Sequence, residues 1–246
     1  MPLRDELCRQ GNWLFRWRSY LPVLLLPLVF LDLRDFQYPL QSALLDRIWE
    51  FFCLSVSMLG LGVRALTIGC TPKGTSGRNT REQIAETVNT CGIYSVVRHP
   101  LYVGNYLMWL GIALFPRSWE LPLIVTLIFW VYYERIMIAE EAFLENKFGK
   151  AYREWAEQTP AFIPRLRQWR PPTLPFSLRN VLGREFSGFF AVILIFTALE
   201  LVGDRLLFDR WILDPVWMWV FGASLVIYLV LRTLKRKTRL LRVEGR

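Results

Sequence analysis

Residues 101–133 read LYVGNYLMWLGIALFPRSWELPLIVTLIFWVYY. Two apolar runs, Leu101–Phe115 and Trp119–Tyr133, are parted only by Pro116, Arg117 and Ser118. A helix needs about 20 apolar residues to cross roughly 30 Å of hydrocarbon, so both runs are short for a crossing. A proline-led joint of three residues predicts two antiparallel helices with a tight turn at one membrane face. The other reading of this pair is a re-entrant or interfacial hairpin.

Four further apolar segments lie outside it: Trp13–Leu31, Ile48–Ile68, Phe186–Val202 and Pro215–Leu231. The fold class expected is all-α, a polytopic transmembrane bundle of about six spans. Composition agrees, with 53% hydrophobic residues, 21% charged and a mean hydropathy of +0.27. Eleven Trp and nine Tyr suit many membrane–water boundaries, where amphipathic rings settle. The first apolar run leads into Leu31-Asp32-Leu33-Arg34 without a small-x-small cleavage site, so it reads as a retained span.

Lys and Arg set the orientation. The N-terminal tail, the second-to-third and fourth-to-fifth connections and the C-terminal tail together carry 25. The opposite connections carry 5: Arg34, Arg47, Arg117, Arg205 and Arg210. Both termini and the long stretches of about Gly69–Pro100 and Glu134–Glu185 are therefore expected in the cytoplasm. The net charge of +9 points to anionic lipid head groups rather than nucleic acid, and the basic tail Arg232–Arg246 to an ordinary inside anchor. One His and four Cys without a CxxC pair make a zinc site or disulfide framework unexpected. Pro171-Pro172-Thr173-Leu174-Pro175 reads as a stiff linker. It divides a four-span core, residues 1–170, from a two-span addition, residues 171–246.

Two segments carry the chemistry. In Gly92-Ile93-Tyr94-Ser95-Val96-Val97-Arg98-His99-Pro100-Leu101-Tyr102-Val103-Gly104, Pro100 stands where a helix begins, a position that suits its missing N–H. Arg98, His99 and the helix start form a positive site for a carboxylate or phosphate, or else a membrane-border anchor. His99 and Tyr102, three apart, share a helix face. Gly104 and Gly111 leave room for another helix. The second segment is Glu140-Glu141-x-x-Leu144 with Phe148-Gly149 and Tyr152. It continues the fourth span as a helix that Gly149 stops. Adjacent glutamates diverge by about 100°, so one faces a site while the other faces water or a basic partner. Glu140 follows Arg135 by about 7.5 Å along the axis. Without a site, the segment would be an interfacial helix with solvated glutamates.

Together these segments resemble the isoprenylcysteine carboxyl methyltransferase family and its bacterial relatives. Its pattern of G-x-Y, R-H-P-x-Y-x-G, a tight hairpin, E-E-x-x-L-x-x-x-F-G-x-x-Y and then prolines is present in order over about residues 87–164. Phospholipid N-methyltransferases and lipid A phosphate methyltransferases look similar. The resemblance implies S-adenosylmethionine reached from the cytosol of a bacterial inner membrane, and a lipid or lipidated acceptor entering from the bilayer. It places cofactor contacts at Val88, Asn89, Tyr94, His99, Pro100, Leu101, Tyr102 and Glu140. The family's acceptor-side Arg, one turn before the first Glu, falls on Ile136 here, with Arg135 beside it. Arg135 and Arg98 are the expected acceptor contacts, and Arg135 and Glu140 the expected catalytic residues. The two C-terminal spans lie beyond the family core.

No GxGxxG is present, Gly60-Leu61-Gly62 reads as helix packing, and Lys73 with Gly74-Thr75-Ser76-Gly77 lacks the order of a phosphate loop. A carboxylate or phosphate acceptor is already anionic and needs no general base, whereas an amine would need Glu140, Glu141 or His99 as base. With no obvious acid–base pair, an oxygen acceptor is favoured over a phospholipid amine. Two readings from other classes are a membrane sterol-type reductase using NADPH and a non-catalytic lipid-binding protein.

Overall fold

The computed structural model describes residues 2–36, 42–72, 83, 85–211, 213–243 and 245. The loop read at Lys73–Gly77 lies outside the described residues. Among the described residues, eight α-helices follow one another: α1 Leu3–Trp17, α2 Leu26–Asp32, α3 Ala43–Cys70, α4 Pro100–Leu114, α5 Glu120–Phe148, α6 Lys150–Gln158, α7 Leu178–Phe208 and α8 Pro215–Lys237. The described residues hold no strand beyond a single bridge between Gly92 and Arg170. The all-α expectation holds.

Local chemistry sets the helix boundaries. The Ser42 hydroxyl accepts from the Leu45 N–H, the Ser177 hydroxyl from Asn180 N–H and the Asp214 carboxylate from Val216 N–H. Pro100 and Pro215 open α4 and α8. Gly149, at φ +54°, ends α5 and lets α6 leave in a new direction.

Among the described residues, four helices, α3, α5, α7 and α8, are long and apolar enough to cross a membrane, and α4 is a shorter apolar helix of 15 residues. The first apolar stretch, Trp13–Leu31, is bent rather than one straight helix. Helix α1 and the helical segment Leu21–Asp32 meet at 85°. Pro22 and Pro27 stand in the first turns of its two parts, where they start helices and deny the preceding turn its N–H donors. Instead, α1 runs antiparallel to the second half of α5, tied by Arg4 to Glu145 at 2.8 Å and by the Tyr132 hydroxyl to the Leu14 carbonyl at 3.4 Å.

Helices α3 and α4 pack antiparallel with their backbones in near contact. A methyl group at Gly104 would meet the Gly60 carbonyl at 2.7 Å, and one at Gly111 would meet Ser57 N at 2.8 Å. Both glycines thus serve the close approach expected of them. Away from the α4 start, Val29, Leu33, Cys53, Phe115, Val125, Phe196 and Trp217 form one buried cluster joining α2, α3, α5, α7 and α8. Outward, Leu127, Trp130, Trp219, Val226 and Val230 are at least half exposed, an apolar surface of the extent a bilayer covers. The protein is an integral membrane protein. Helix α5, at 29 residues, is about 44 Å long, more than the hydrocarbon depth. Its final turns, bearing Glu140 and Glu141, continue the fourth apolar segment as expected.

Candidate active site

The polypeptide before α4 is held by the chain that follows α6. Arg98 N–H donates to the Pro160 carbonyl at 2.9 Å, His99 N–H to Ala161 at 3.2 Å, and Arg165 N–H to Val96 at 3.0 Å. The Trp155 indole N–H donates to the Tyr94 carbonyl at 3.2 Å. Gly92, at φ +62°, turns the chain into this strap, and its carbonyl accepts from Ser95. These bonds deliver His99, 7% exposed, to the start of α4.

The His99 ring is flanked by both glutamates of α5. Nε2 lies 2.9 Å from Glu141 Oε1, and Nδ1 lies 3.5 Å from Glu140 Oε2. Tyr102 stacks on the imidazole at 5.7 Å between centroids, as residues three apart on a helix face must to touch. The Tyr102 hydroxyl donates to Glu140 Oε1 at 2.6 Å. Burial pushes the imidazole towards its neutral form, but the two carboxylates outweigh it and His99 holds its proton above the ordinary histidine range. Arg98 Nε lies 3.3 Å from Glu141 Oε1. From the bend after α1, Arg18 Nη1 reaches both Glu140 Oε1 and the Tyr102 hydroxyl at 3.5 Å, its guanidinium over the Phe15 ring.

His99, Tyr102, Glu140, Arg98 and Arg18 line a cavity of about 590 Å³. All eight expected cofactor contacts, Val88, Asn89, Tyr94, His99, Pro100, Leu101, Tyr102 and Glu140, line it, as does Arg98. Glu140 is on the wall, whereas Glu141 turns to His99 and Arg98. Arg135 is not brought to the cavity. Its Nε donates to Gln10 Oε1 at 2.9 Å and its Nη1 to the Val131 carbonyl at 2.7 Å. Ile136 is fully buried among Phe15, Phe129 and Tyr133, so α5 presents an apolar group where the resemblance expected Arg. The cation that reaches Glu140 comes from another helix, as Arg18.

Sequence reasoning passed over other residues that line the cavity: Arg64, Asn105, Met108, Trp109, Arg184 and Glu185. Arg64 forms two bonds of 2.8 Å with Glu185 and one of 2.6 Å with Asn105 Oδ1, and Asn105 Nδ2 donates to the Tyr133 hydroxyl at 3.0 Å. Its signal in the sequence is an arginine at the end of an apolar span, which normally needs a buried partner. Glu185 and Arg184 stand on α7, in the part of the chain that follows Pro171. The second part of the chain supplies cavity wall. Among the described residues, no group of three His, Cys, Asp or Glu is placed to hold a metal ion.

Comparison with known proteins bears on this geometry. Residues 56–151 match the family described as phospholipid methyltransferase. The chain is 31% identical over 122 residues to the cobalt-zinc-cadmium resistance protein CzcN of Cupriavidus metallidurans, covering 50% of this chain and 56% of that protein. It is 31% identical over 127 residues to the nickel-cobalt-cadmium resistance protein NccN of Alcaligenes xylosoxydans xylosoxydans, covering 50% and 57%. It is 35% identical over 75 residues to the protein-S-isoprenylcysteine O-methyltransferase of Schizosaccharomyces pombe, covering 30% and 32%. The matches thus span 57% or less of these relatives' lengths. No solved structure matches the chain. The matched segment, which carries α4, α5 and the end of α3 with His99 and Glu140, is similar to the phospholipid methyltransferase family, and protein-S-isoprenylcysteine O-methyltransferases are among the relatives of the chain.

Proposed function

We propose that the protein is an S-adenosylmethionine-dependent methyltransferase that methylates an oxygen of a lipid-linked acid, a carboxylate or a phosphate. The observation that carries this reading is one cavity with two characters. The His99, Tyr102 and Glu140 wall is polar and charged, while Val23, Met108 and Trp109 give the same space an apolar side. The family match favours this reading over a nicotinamide-dependent reductase or a non-catalytic lipid-binding protein.

The residues present fit the cofactor. The cavity volume is in the range of small-molecule sites. Glu140 offers a carboxylate to an ammonium group, and Arg98 with protonated His99 offers positive charge to a carboxylate. Tyr94 and Leu101 offer surface to a planar base. When bound, S-adenosylmethionine supplies a methyl group already activated on a sulfonium. The chain then has to align the acceptor and exclude water.

The pairing of the acidic groups supports an oxygen acceptor. Glu140 is held by Tyr102 and Arg18, and Glu141 by His99 and Arg98. An amine acceptor would require one of them to leave its partner and take a proton. An anionic oxygen requires no such step. The acceptor's apolar chain lies along the Met108 and Trp109 side, where each buried methylene contributes about 0.8 kcal/mol.

The test is transfer of labelled methyl from S-adenosylmethionine, by purified protein in lipid nanodiscs, into a bacterial membrane lipid extract. The label is expected in a lipid product. Mild alkali releases it as methanol from a carboxyl ester, and mass spectrometry identifies a phosphate methyl ester. Label on the nitrogen of an ethanolamine lipid would replace this reading with phospholipid N-methylation, and no lipid labelling would overturn both.

The place of action in this proposal is the bacterial inner membrane, with the cavity open to the cytoplasm. The 25-to-5 division of Lys and Arg supports it. Cys91, beside the cavity strap, is then expected to resist an impermeant thiol reagent in intact spheroplasts and to react in inverted vesicles. Labelling in the spheroplasts would reverse the orientation.

A further inference from the structure

We infer that residues 160–170, the chain after α6, dock on an anionic phospholipid surface. Ile163, Leu166 and Trp169 enter its apolar margin, and Arg165 and Arg167 hold its head groups. The surface is independent of the methyl-transfer chemistry, and none of its residues lines the cavity. The stretch Ile163-Pro164-Arg165-Leu166-Arg167-Gln168-Trp169-Arg170 holds three Arg and no Asp or Glu. Ile163 and Leu166 are each 76% exposed, and Trp169 is 54% exposed. Single exposed apolar residues are ordinary on a protein surface. Three of them within seven residues, interleaved with arginines, have the composition of an interfacial lipid-binding segment. Leu166 and Trp169 are three apart about a tight turn, Leu166–Gln168, which brings them to one side of it.

The fold sets the depth of this loop. The Phe162 ring packs edge-on against Trp130 of α5, at 6.2 Å between centroids, and against Tyr106 of α4, at 5.9 Å. Trp130 is half exposed, on the apolar surface that a bilayer covers. It precedes Glu140 by ten residues, about 15 Å along the helix. The chain therefore dips from the level of His99, whose N–H donates to Ala161, towards the hydrocarbon at Phe162. Ile163 follows directly and stands beside the lipid-facing part of α5. The chain then returns to the strap before α4. Arg165 N–H donates to the Val96 carbonyl at 3.0 Å, and the Arg170 carbonyl accepts from Gly92 N–H at 2.9 Å. The arginines are thus held at the polar end of the dip, where head groups lie. Arg165, Arg167 and Arg170 are exposed, and among the described residues none of their guanidinium groups is paired with a carboxylate. Cations beside an apolar tip, with no acid among them to receive a choline or ammonium, fit lipids of net negative charge. The same segment fastens Arg98 and His99, so lipid docking and the placing of the site share one short stretch of chain.

The test places a bimane fluorophore at Ile163→Cys in the full chain, with Cys8→Ser, Cys70→Ser and Cys91→Ser and the buried Cys53 retained. The protein is held in phosphatidylcholine nanodiscs. Two kinds of quencher are compared: iodide in the water, and a doxyl group near the top of an acyl chain of phosphatidylglycerol or phosphatidylcholine. Both lipid quenchers are expected to act, and iodide to act weakly. Half-quenching is expected at about a fivefold lower mole fraction of labelled phosphatidylglycerol than of labelled phosphatidylcholine, the preference that one near-surface arginine gives. Arg165→Gln with Arg167→Gln should erase that preference. Arg165→Lys with Arg167→Lys should keep it, because charge rather than fork geometry is being read. Strong iodide quenching without lipid quenching would overturn the inference and leave a loop that faces water. Equal quenching by the two lipids would overturn the anionic assignment, and so would a preference that survives the two Gln substitutions.

Discussion

Glu140→Gln is expected to weaken S-adenosylmethionine binding about ten- to a hundredfold, the loss of roughly 1.5–3 kcal/mol for one charge-assisted contact. Glu140 faces the cavity while accepting the Tyr102 hydroxyl at 2.6 Å, so its charge is positioned before any ligand arrives. The amide keeps the shape and the acceptor oxygen but loses the charge. His99→Ala should weaken binding to a similar degree, because it removes the positive group set between Glu140 and Glu141. Equilibrium dialysis on both variants, with helical content followed by circular dichroism, separates lost affinity from lost fold. Wild-type affinity in both would show that the cofactor does not use this wall.

The same site makes a pH prediction that one resonance can read, since the chain has a single His. Its folded pKa is raised, so the imidazolium's stabilising contribution is full below the unfolded value of about 6.5 and is lost as pH rises through the folded value. The imidazole signal in nuclear magnetic resonance should titrate above 6.5 in the wild type and lower in Glu141→Gln. A midpoint at or below 6.5 in the wild type would contradict the pairing with two carboxylates.

The second large effect concerns the Arg64–Glu185 pair. Glu185 is 5% exposed and Arg64 19%, and the two form a bidentate contact between α3 and α7. Removing one partner strips the other of its bidentate contact inside the bundle. Arg64→Met or Glu185→Met alone should cost about 3–5 kcal/mol, as broken buried pairs do. The double variant replaces both ions by apolar groups of similar length and should lose far less than the two singles together. Thermal unfolding in a fixed detergent, read as a double-mutant cycle, measures this coupling. Purely additive losses would mean that the pair does not join α3 to α7 energetically.

Residues near in sequence carried their own evidence. Pro100 before an apolar run dictates a helix start, His99 and Tyr102 must share a face three residues apart, and Gly149 ends a helix. The alternation of apolar and basic stretches likewise dictates an all-helical membrane protein. These readings need only the backbone's local rules and the transfer cost of charge into hydrocarbon. The bend after α1 escaped because a run of mean apolarity looks alike whether straight or folded at 85°. Only the prolines at its centre marked the break.

By itself, the sequence determined the helical membrane class, and its resemblance to a known family pointed to eight residues that line one cavity. The tertiary structure alone decided which charges meet there. Arg135 is five residues from Glu140 yet binds Gln10, whereas Arg18, 122 positions away, reaches Glu140. Arg64 and Glu185, 121 positions apart, pair and line the same cavity. The physical reason is that a side chain's partner inside a bundle is set by how helices pack. A shift of one position turns it about 100° around its helix, and from cavity to neighbouring helix.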